Sequence, residues 1–329
     1  MSFIKLSPEH HEKWNKFAFK NHWFFHSTYW IRYHMCSKFG VEFKDHSFFI
    51  ENSRQITNVV PLIQEGDKLI SPGFDEEREI MREIKRIALE NGIKHIRVDC
   101  DIKKYLNVPS YTCILDLNNV RPTKGHKSAI KKAEQFLTYR TSEDIEKFRK
   151  FYTNVAKKET RPRETFRLLE QWARKDIGLL LEALLNGKTV GYIYIVYWNK
   201  RAYYFMSCTP SNYKQYNITH FLQSKVFEIL REKGITQYEM GEQVFNSLHY
   251  QPTEKERSIS RFKRGFGGEI VNKPSSEYFL DQKYMIDVFA NRIHKYWECE
   301  NEKNIIDISK TRTVETLPSS PNHSPSRFC

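Results

Sequence analysis

One order of secondary-structure signals occurs twice in this chain, and it constrains the fold more than any single motif. In the second half, Leu179 to Leu184 and Val190 to Tyr197 read as strands around an Asn186-Gly187-Lys188 turn, and Ala202 to Cys208 as a third strand. Leu222, Val226 and Ile229 then recur at helical spacing, Gly234 closes the helix, and Ile235 to Met240 is a strand. The first half repeats this order with Ser47–Ile50, the Asn52-Ser53-Arg54 turn, Val59–Ile63, a turn at Glu65–Lys68 and Leu69–Ser71. A helix from Glu76 to Asn91, Gly92 and a strand from Ile93 to Cys100 complete it. A displacement of 142 residues lays Ile80, Ile84, Ile87, Gly92, Ile93, Ile96 and Val98 on Leu222, Val226, Ile229, Gly234, Ile235, Tyr238 and Met240. Every pair keeps its apolar or glycine character. The chain therefore reads as two copies of a β-β-β-α-β unit, an α/β (α+β) class with mixed sheets flanked by helices.

The rest of the chain falls around these copies. Ser7-Pro8 starts an N-terminal helix, and the aromatic run Trp23 to Trp30 reads as core. Tyr111 to Leu117 is a strand, and Thr123 to Glu134 a helix rich in lysine. Helices Ser142–Lys158 and Glu164–Arg174 lead into the second copy; a loop (Glu242–Ile259) and an amphipathic helix from Asp281 to Trp297 follow it. This divides the chain into a first unit (1–118), a second unit (119–280), a C-terminal helix (281–309) and a disordered tail (310–329).

Charge narrows the partners. Lysine and arginine exceed the acids 53 to 40, a net of +13, which suits a polyanion: nucleic acid, a phosphorylated substrate or an anionic membrane face. The six cysteines have no zinc spacing, so no metal is expected, and Cys100, Cys113 and Cys208 in apolar runs read as buried thiols. No apolar run approaches the roughly twenty residues of a membrane span, and no secretory leader is evident. The expectation is a cytoplasmic protein, with peripheral attachment at the inner membrane face left open.

The most unusual string is Phe262-Lys263-Arg264-Gly265-Phe266-Gly267-Gly268. Its glycines let a strand bend or a ligand approach, its cations supply fixed charge, and Phe262 and Phe266 offer faces for a base. A glycine-bulged core strand with surface cations explains it equally well.

With His26-Ser27 and Trp30, Pro61-Leu62, Leu115-Asp116-Leu117, His126 to Ala133, Asn186-Gly187-Lys188 and Gln237 to Gly241, this string resembles the FemABX family. These are aminoacyl-tRNA-dependent peptidyltransferases of cell-wall assembly, related to GNAT-like acyltransferases, and the resemblance covers roughly residues 20–280. It implies twin GNAT-like folds and amide formation on an amino group of a cell-envelope precursor, a peptidoglycan-type peptide or an amino sugar that can be lipid-linked. The family's long helical hairpin arm has no counterpart here, and Gly241-Glu242-Gln243-Val244-Phe245 replaces a more glycine-rich turn.

No tightly bound cofactor is expected; the donor is either aminoacyl-tRNA or acyl-CoA. The stretch Tyr213 to His220, where a CoA-dependent enzyme needs a glycine-rich turn for the pyrophosphate, has no glycine, although Lys214 and Asn217 could compensate. That favours aminoacyl-tRNA. The resemblance puts Phe262 and Lys263 at the tRNA acceptor end, with Lys263 steadying the oxyanion or the leaving ribose oxygen. Arg264, Gly267 and Gly268 complete that surface, and Lys127 and Lys131, one helical turn apart, are candidate phosphate contacts. Glu239 and Glu242 stand where a GNAT-type site has its general base, with Glu239 and Gly241 expected on one face and Glu242 entering the loop. Two alternatives remain: an acyl-CoA-dependent N-acetyltransferase of polysaccharide or amino-sugar synthesis, and a non-catalytic RNA- or envelope-binding module.

Overall fold

The computed structural model describes residues 2–75, 78–247 and 249–308, so the tail expected at 310–329 lies outside the described residues. Chain order begins β1 (Ser2–Lys5), α1 (His11–Asn21), α2 (Thr28–Met35), β2 (Phe43–Asp45), β3 (Phe48–Asn52), β4 (Gln55–Val60), β5 (Ile63–Glu65), β6 (Lys68–Ser71), α3 (Arg78–Glu90) and β7 (His95–Val98). The crossing segment is β8 (Leu106–Val108) and β9 (Tyr111–Asp116). Then come α4 (Lys124–Ala133), β10 (Leu137–Thr141), α5 (Ile145–Ala156), α6 (Arg163–Arg174), β11 (Gly178–Leu185), β12 (Lys188–Trp198), β13 (Arg201–Cys208), α7 (Ile218–Glu232) and β14 (Gln237–Gln243). The chain closes with α8 (Glu254–Arg264), β15 (Glu269–Asn272), β16 (Ser275–Phe279) and α9 (Gln282–Ile308).

The repeat is visible in the backbone. Strands β6 and β7 pair in parallel with Lys68 opposite His95, and β13 and β14 do so with Arg201 opposite Gln237. Gly92 and Gly234 end α3 and α7 with φ of 64° and 72°, which a side chain adopts reluctantly. Earlier in each copy, Ser53 and Arg54 (φ 48° and 66°) turn where Asn186 and Gly187 (φ 49° and 77°) turn in the other. Ile80, Ile84, Ile93, Ile96 and Val98 are buried, as are Leu222, Val226, Ile235, Tyr238 and Met240. Each such side chain contributes about 1.5–3 kcal/mol on leaving water.

The expected division at residue 118 does not follow the hydrogen bonds. Strand β9 lies in the seven-stranded second sheet, ordered β10-β11-β12-β13-β14-β9-β15. Strand β16, from beyond the second copy, lies in the first, ordered β2-β5-β6-β7-β16-β8. Each copy ends in a parallel strand whose outer edge is covered by a strand from the segment that follows the other copy, β16 on β7 and β9 on β14. The units share one core as well: Trp14, Phe24 and Ile31 pack with Trp172, Tyr194 and Trp198 of the second. Phe24 lies edge-on to Trp172 at 5.0 Å, so the core reading of the aromatic run holds there. Cys113 and Cys208 are buried, whereas Cys100 is half-buried.

Residues 242–259 are not all loop, and the glycine string is not a strand. Helix α8 begins at Glu254, behind a capping box in which Thr253 and Glu256 bond each other's backbone N–H. Phe262, Lys263 and Arg264 form its last turn. The glycines serve close packing: a Cβ on Gly265 would fall 1.9 Å from the His126 ring, and one on Gly267 (φ 87°) 2.1 Å from the Arg121 carbonyl.

Candidate active site

Strands β13 and β14 pair only from Arg201–Gln237 to Tyr203–Glu239, then part. Beyond that point β13 stays with β12, and β14 stays with β9. Both walls of the resulting crack are irregular at this level: the register of β13 skips Phe205 and that of β14 skips Met240. The second bulge overturns the expected alternation. Glu239 pairs with Ile114 and Glu242 with Thr112, so the two carboxylates share a face and Gly241, opposite Cys113, takes the other.

Gly241 has φ 85°, and a Cβ there would lie 3.1 Å from the Tyr203 hydroxyl and 3.2 Å from the Lys263 ammonium. The bare backbone at this glycine lets the two groups converge. Half-buried Lys263 donates to the Glu242 carbonyl at 3.3 Å. Burial pulls its pKa below the usual lysine range, against the opposing pull of Glu242, Cys113 and Glu239. Burial, with Glu239 and Glu242 nearby, pushes the Tyr203 phenol up, so it stays protonated and can donate.

The two carboxylates differ in what they hold. Glu239 is buried, accepts from Thr112 Oγ1 at 2.8 Å and pairs with Lys273 at 2.6 Å, so both its oxygens are engaged. Glu242 is exposed, and its carboxylate has no ion pair or side-chain hydrogen bond among the described residues. It lines a cleft of about 510 Å³ with Tyr111, Phe245, His249, Tyr250 and Arg97.

The other expected site residues are dispersed. Phe262 is half-buried against His220 at 4.9 Å, and its carbonyl accepts from His126, while Phe266 is wholly buried and offers no face to a base. Burial and His126 push His220 down to about 4, a neutral ring packed behind the crack. Arg264 reaches Ser260 and lies 5.7 Å from the Phe245 ring centre, and Gly268 abuts Cys113. Lys127 and Lys131 are exposed on α4 and have no ion-pair partner among the described residues. Lys214 is exposed before α7, and Asn217 holds φ 52° at its N-cap. The missing glycine is thus replaced in backbone shape by an asparagine, which tolerates that region better than most residues.

Sequence reasoning missed two groups on the crack's aromatic side. Arg161 bonds the Tyr33 hydroxyl, lies 6.0 Å from the Phe205 ring centre and has no carboxylate partner among the described residues. Tyr203 falls in the strand expected at Ala202 to Cys208, and nothing local marks it as a site residue. The Arg161-Pro162-Arg163 loop carries no motif, and nothing local says that β13 and β14 separate beside it.

The first unit has the corresponding crack, beyond Ser71 and Val98. His26 is buried beside it, its Nε2 donating to the Gly73 carbonyl at 2.9 Å and its pKa pushed down to about 4 by burial. A hollow of about 370 Å³ remains, lined by His22, Trp23, His26 and Asp99.

Residues 123–251 match the family model of the acetyltransferase (GNAT) domain. Among solved structures, the fold is similar to FemX (TM-score 0.65, 12% identity, 88% of this chain and 100% of that one). It is similar to L-PGS from Bacillus licheniformis (0.55, 13%, 75% and 88%) and to a tandem GNAT protein of the clavulanic acid biosynthesis pathway (0.50, 10%, 84% and 98%). No curated protein matches the chain. At these identities the structural likeness is one of fold. No helix among the described residues is long and apolar enough to cross a membrane, and no cluster there has the donor set of a metal site.

Proposed function

We propose, taking the chain as an acyltransferase of the GNAT-like, FemABX-like superfamily, that it forms an amide on an amino group of a cell-envelope precursor with aminoacyl-tRNA as donor. The observation that carries this reading is that the Lys263 ammonium and the Tyr203 hydroxyl both close on Gly241 where β13 and β14 part. An acyl ester lying in the crack would present its carbonyl to an ammonium and a phenol held in place before reaction, as oxyanion stabilisation requires. The acceptor amine enters from the cleft along Glu242, attacks the carbonyl and passes a proton to that carboxylate. The C–N bond forms, the C–O ester bond breaks, and the leaving ribose oxygen takes a proton from Tyr203 or from water. Glu239 keeps Thr112 and Lys273 in place, while Phe262, Arg264, Gly267 and Gly268 fix the helix end that carries Lys263.

Lys127 and Lys131 lie on the helix whose His126 touches the Phe262 carbonyl, which suits a phosphate backbone leading to Lys263. Mass spectrometry of the protein with charged tRNA and a panel of muropeptide precursors and amino sugars tests the reading. An amide product, with binding that weakens steeply with salt, supports it; no product from any charged tRNA sinks it.

One observation favours acyl-CoA instead. Asn217 in the left-handed region opens the N-terminus of α7 much as a glycine would, and Lys214 stands beside it. If CoA at micromolar concentration raises the melting temperature, that donor replaces tRNA. The acceptor, peptidoglycan-type or polysaccharide amino sugar, and attachment at the membrane face belong to the same test.

A further inference from the structure

Helix α9 leaves the body partway along its length. Tyr284, Met285, Val288, Phe289 and Arg292 are half-buried, and both Arg292 nitrogens grip Glu277 at 2.9 and 2.7 Å. From Ile293 to Glu298 every side chain is exposed, yet the helix continues to Ile308. Its full length is about 40 Å at 1.5 Å per residue. On the side turned away from the body, Ile286, Ala290, Ile293 and Trp297 recur at i, i+4, i+7 and i+11, an arc of about 60° at 100° per residue. Ile286, Ile293 and Trp297 are 55%, 54% and 66% exposed. A helix outside a core is marginal in water, and an exposed apolar stripe along one marks a contact.

Charge and width discriminate between occupants. Arg292 is neutralised by Glu277, and up to Glu298 the helix otherwise carries Lys283 and Lys295 against Asp287 and Glu298. There is no positive excess to draw an anionic lipid surface, and the arc is narrower than the broad apolar face an interfacial helix submerges. It has the width of a seam for one helix. The seam is also self-complementary. About a twofold axis between Asn291 and Arg292, antiparallel copies would set Ile286 against Trp297 and Ala290 against Ile293, small against large. Because the body-facing residues are on the opposite side of the helix, the two bodies fall on opposite sides of the pair.

We propose that two copies of this chain form a twofold dimer through antiparallel packing of α9. Sedimentation of the full chain at micromolar concentration tests it. The unaltered chain should be dimeric, and Ile293→Lys or Ala290→Glu should each raise the dissociation constant about 100-fold or more, because either buries an unpaired charge. Circular dichroism should show the fold retained. Mixing the two variants should restore a heterodimer, since the introduced ammonium and carboxylate then face each other. A monomeric unaltered chain, a dimer indifferent to both substitutions, a mixture that stays monomeric, or sedimentation with phosphatidylserine vesicles that Ala290→Glu abolishes would each overturn it.

Discussion

The two cracks are built on the same strand register and differ in what fills them. In the second unit the opening beyond Tyr203 and Glu239 is flanked by Lys263, the Tyr203 hydroxyl and Arg161. In the first, beside the opening beyond Ser71 and Val98 stands a buried neutral histidine bonded to the Gly73 carbonyl. The second unit also has α8, which delivers Lys263; between β7 and β8, where its counterpart would stand, the first has no helix. A duplicated fold thus supplies two openings, and the inserted helix brings a lysine to one of them. The borrowed strands are pinned differently too. Strand β16 is held through Glu277 by Arg292, whereas β9 is held through Thr112 by Glu239, itself paired with Lys273.

The first pin is the place to break this comparison hardest. Arg292→Ala leaves Glu277, 3% exposed, with a buried charge and should cost about 3–5 kcal/mol of stability in urea unfolding. Burial alone would raise the Glu277 pKa, but the two bonds from Arg292, with His95 3.4 Å away, hold it down at about 2, below its unfolded 4.5. Its contribution is therefore complete above pH 4.5 and lost as pH falls from there toward 2, and Glu277→Gln should flatten that part of the stability profile.

Lys263→Ala should lower kcat by about 100-fold or more while the melting temperature holds within a few degrees. His26→Ala should do the opposite, costing about 1–3 kcal/mol of stability and leaving turnover within about threefold. If both substitutions abolish turnover in folded protein, the division of labour between the cracks is wrong. The lowered pKa of Lys263 also sets a sign: its cation is lost as pH rises, so kcat should decline on an alkaline limb below the ordinary lysine value, absent from Lys263→Ala.

Gly265→Ala should destabilise by about 1–3 kcal/mol through its clash with His126, and lower activity by moving the end of α8. The smallest effect copies one half onto the other. Arg54 holds φ 66° where Gly187 stands in the second copy, so Arg54→Gly should stabilise by about 0.5–1 kcal/mol in thermal unfolding.

Much of the fold was legible because helix spacing, turn residues and glycines act within a few residues of one another. The alignment of Ile80 to Val98 with Leu222 to Met240 identified the repeat, and both closing glycines have the expected left-handed backbone. Helix α8 was legible in principle, since Thr253 and Glu256 are spaced for a capping box, but the glycines of Phe262 to Gly268 read equally as a bent strand or a site of ligand approach. The bulge at Met240, which brings Glu239 and Glu242 onto one face, has no local signal. Neither does Arg161, more than 100 residues from its hydroxyl partner Tyr33.

By itself the amino-acid order determined the unit, its doubling and the reserve of positive charge, because periodicity and turn chemistry are short-range. Tertiary structure decided the exchange of edge strands, the parting of β13 from β14 and the approach of Lys263 and Tyr203 to Gly241. Those depend on which open edge each trailing strand covers, a competition settled by burial and hydrogen bonding between segments distant in the chain.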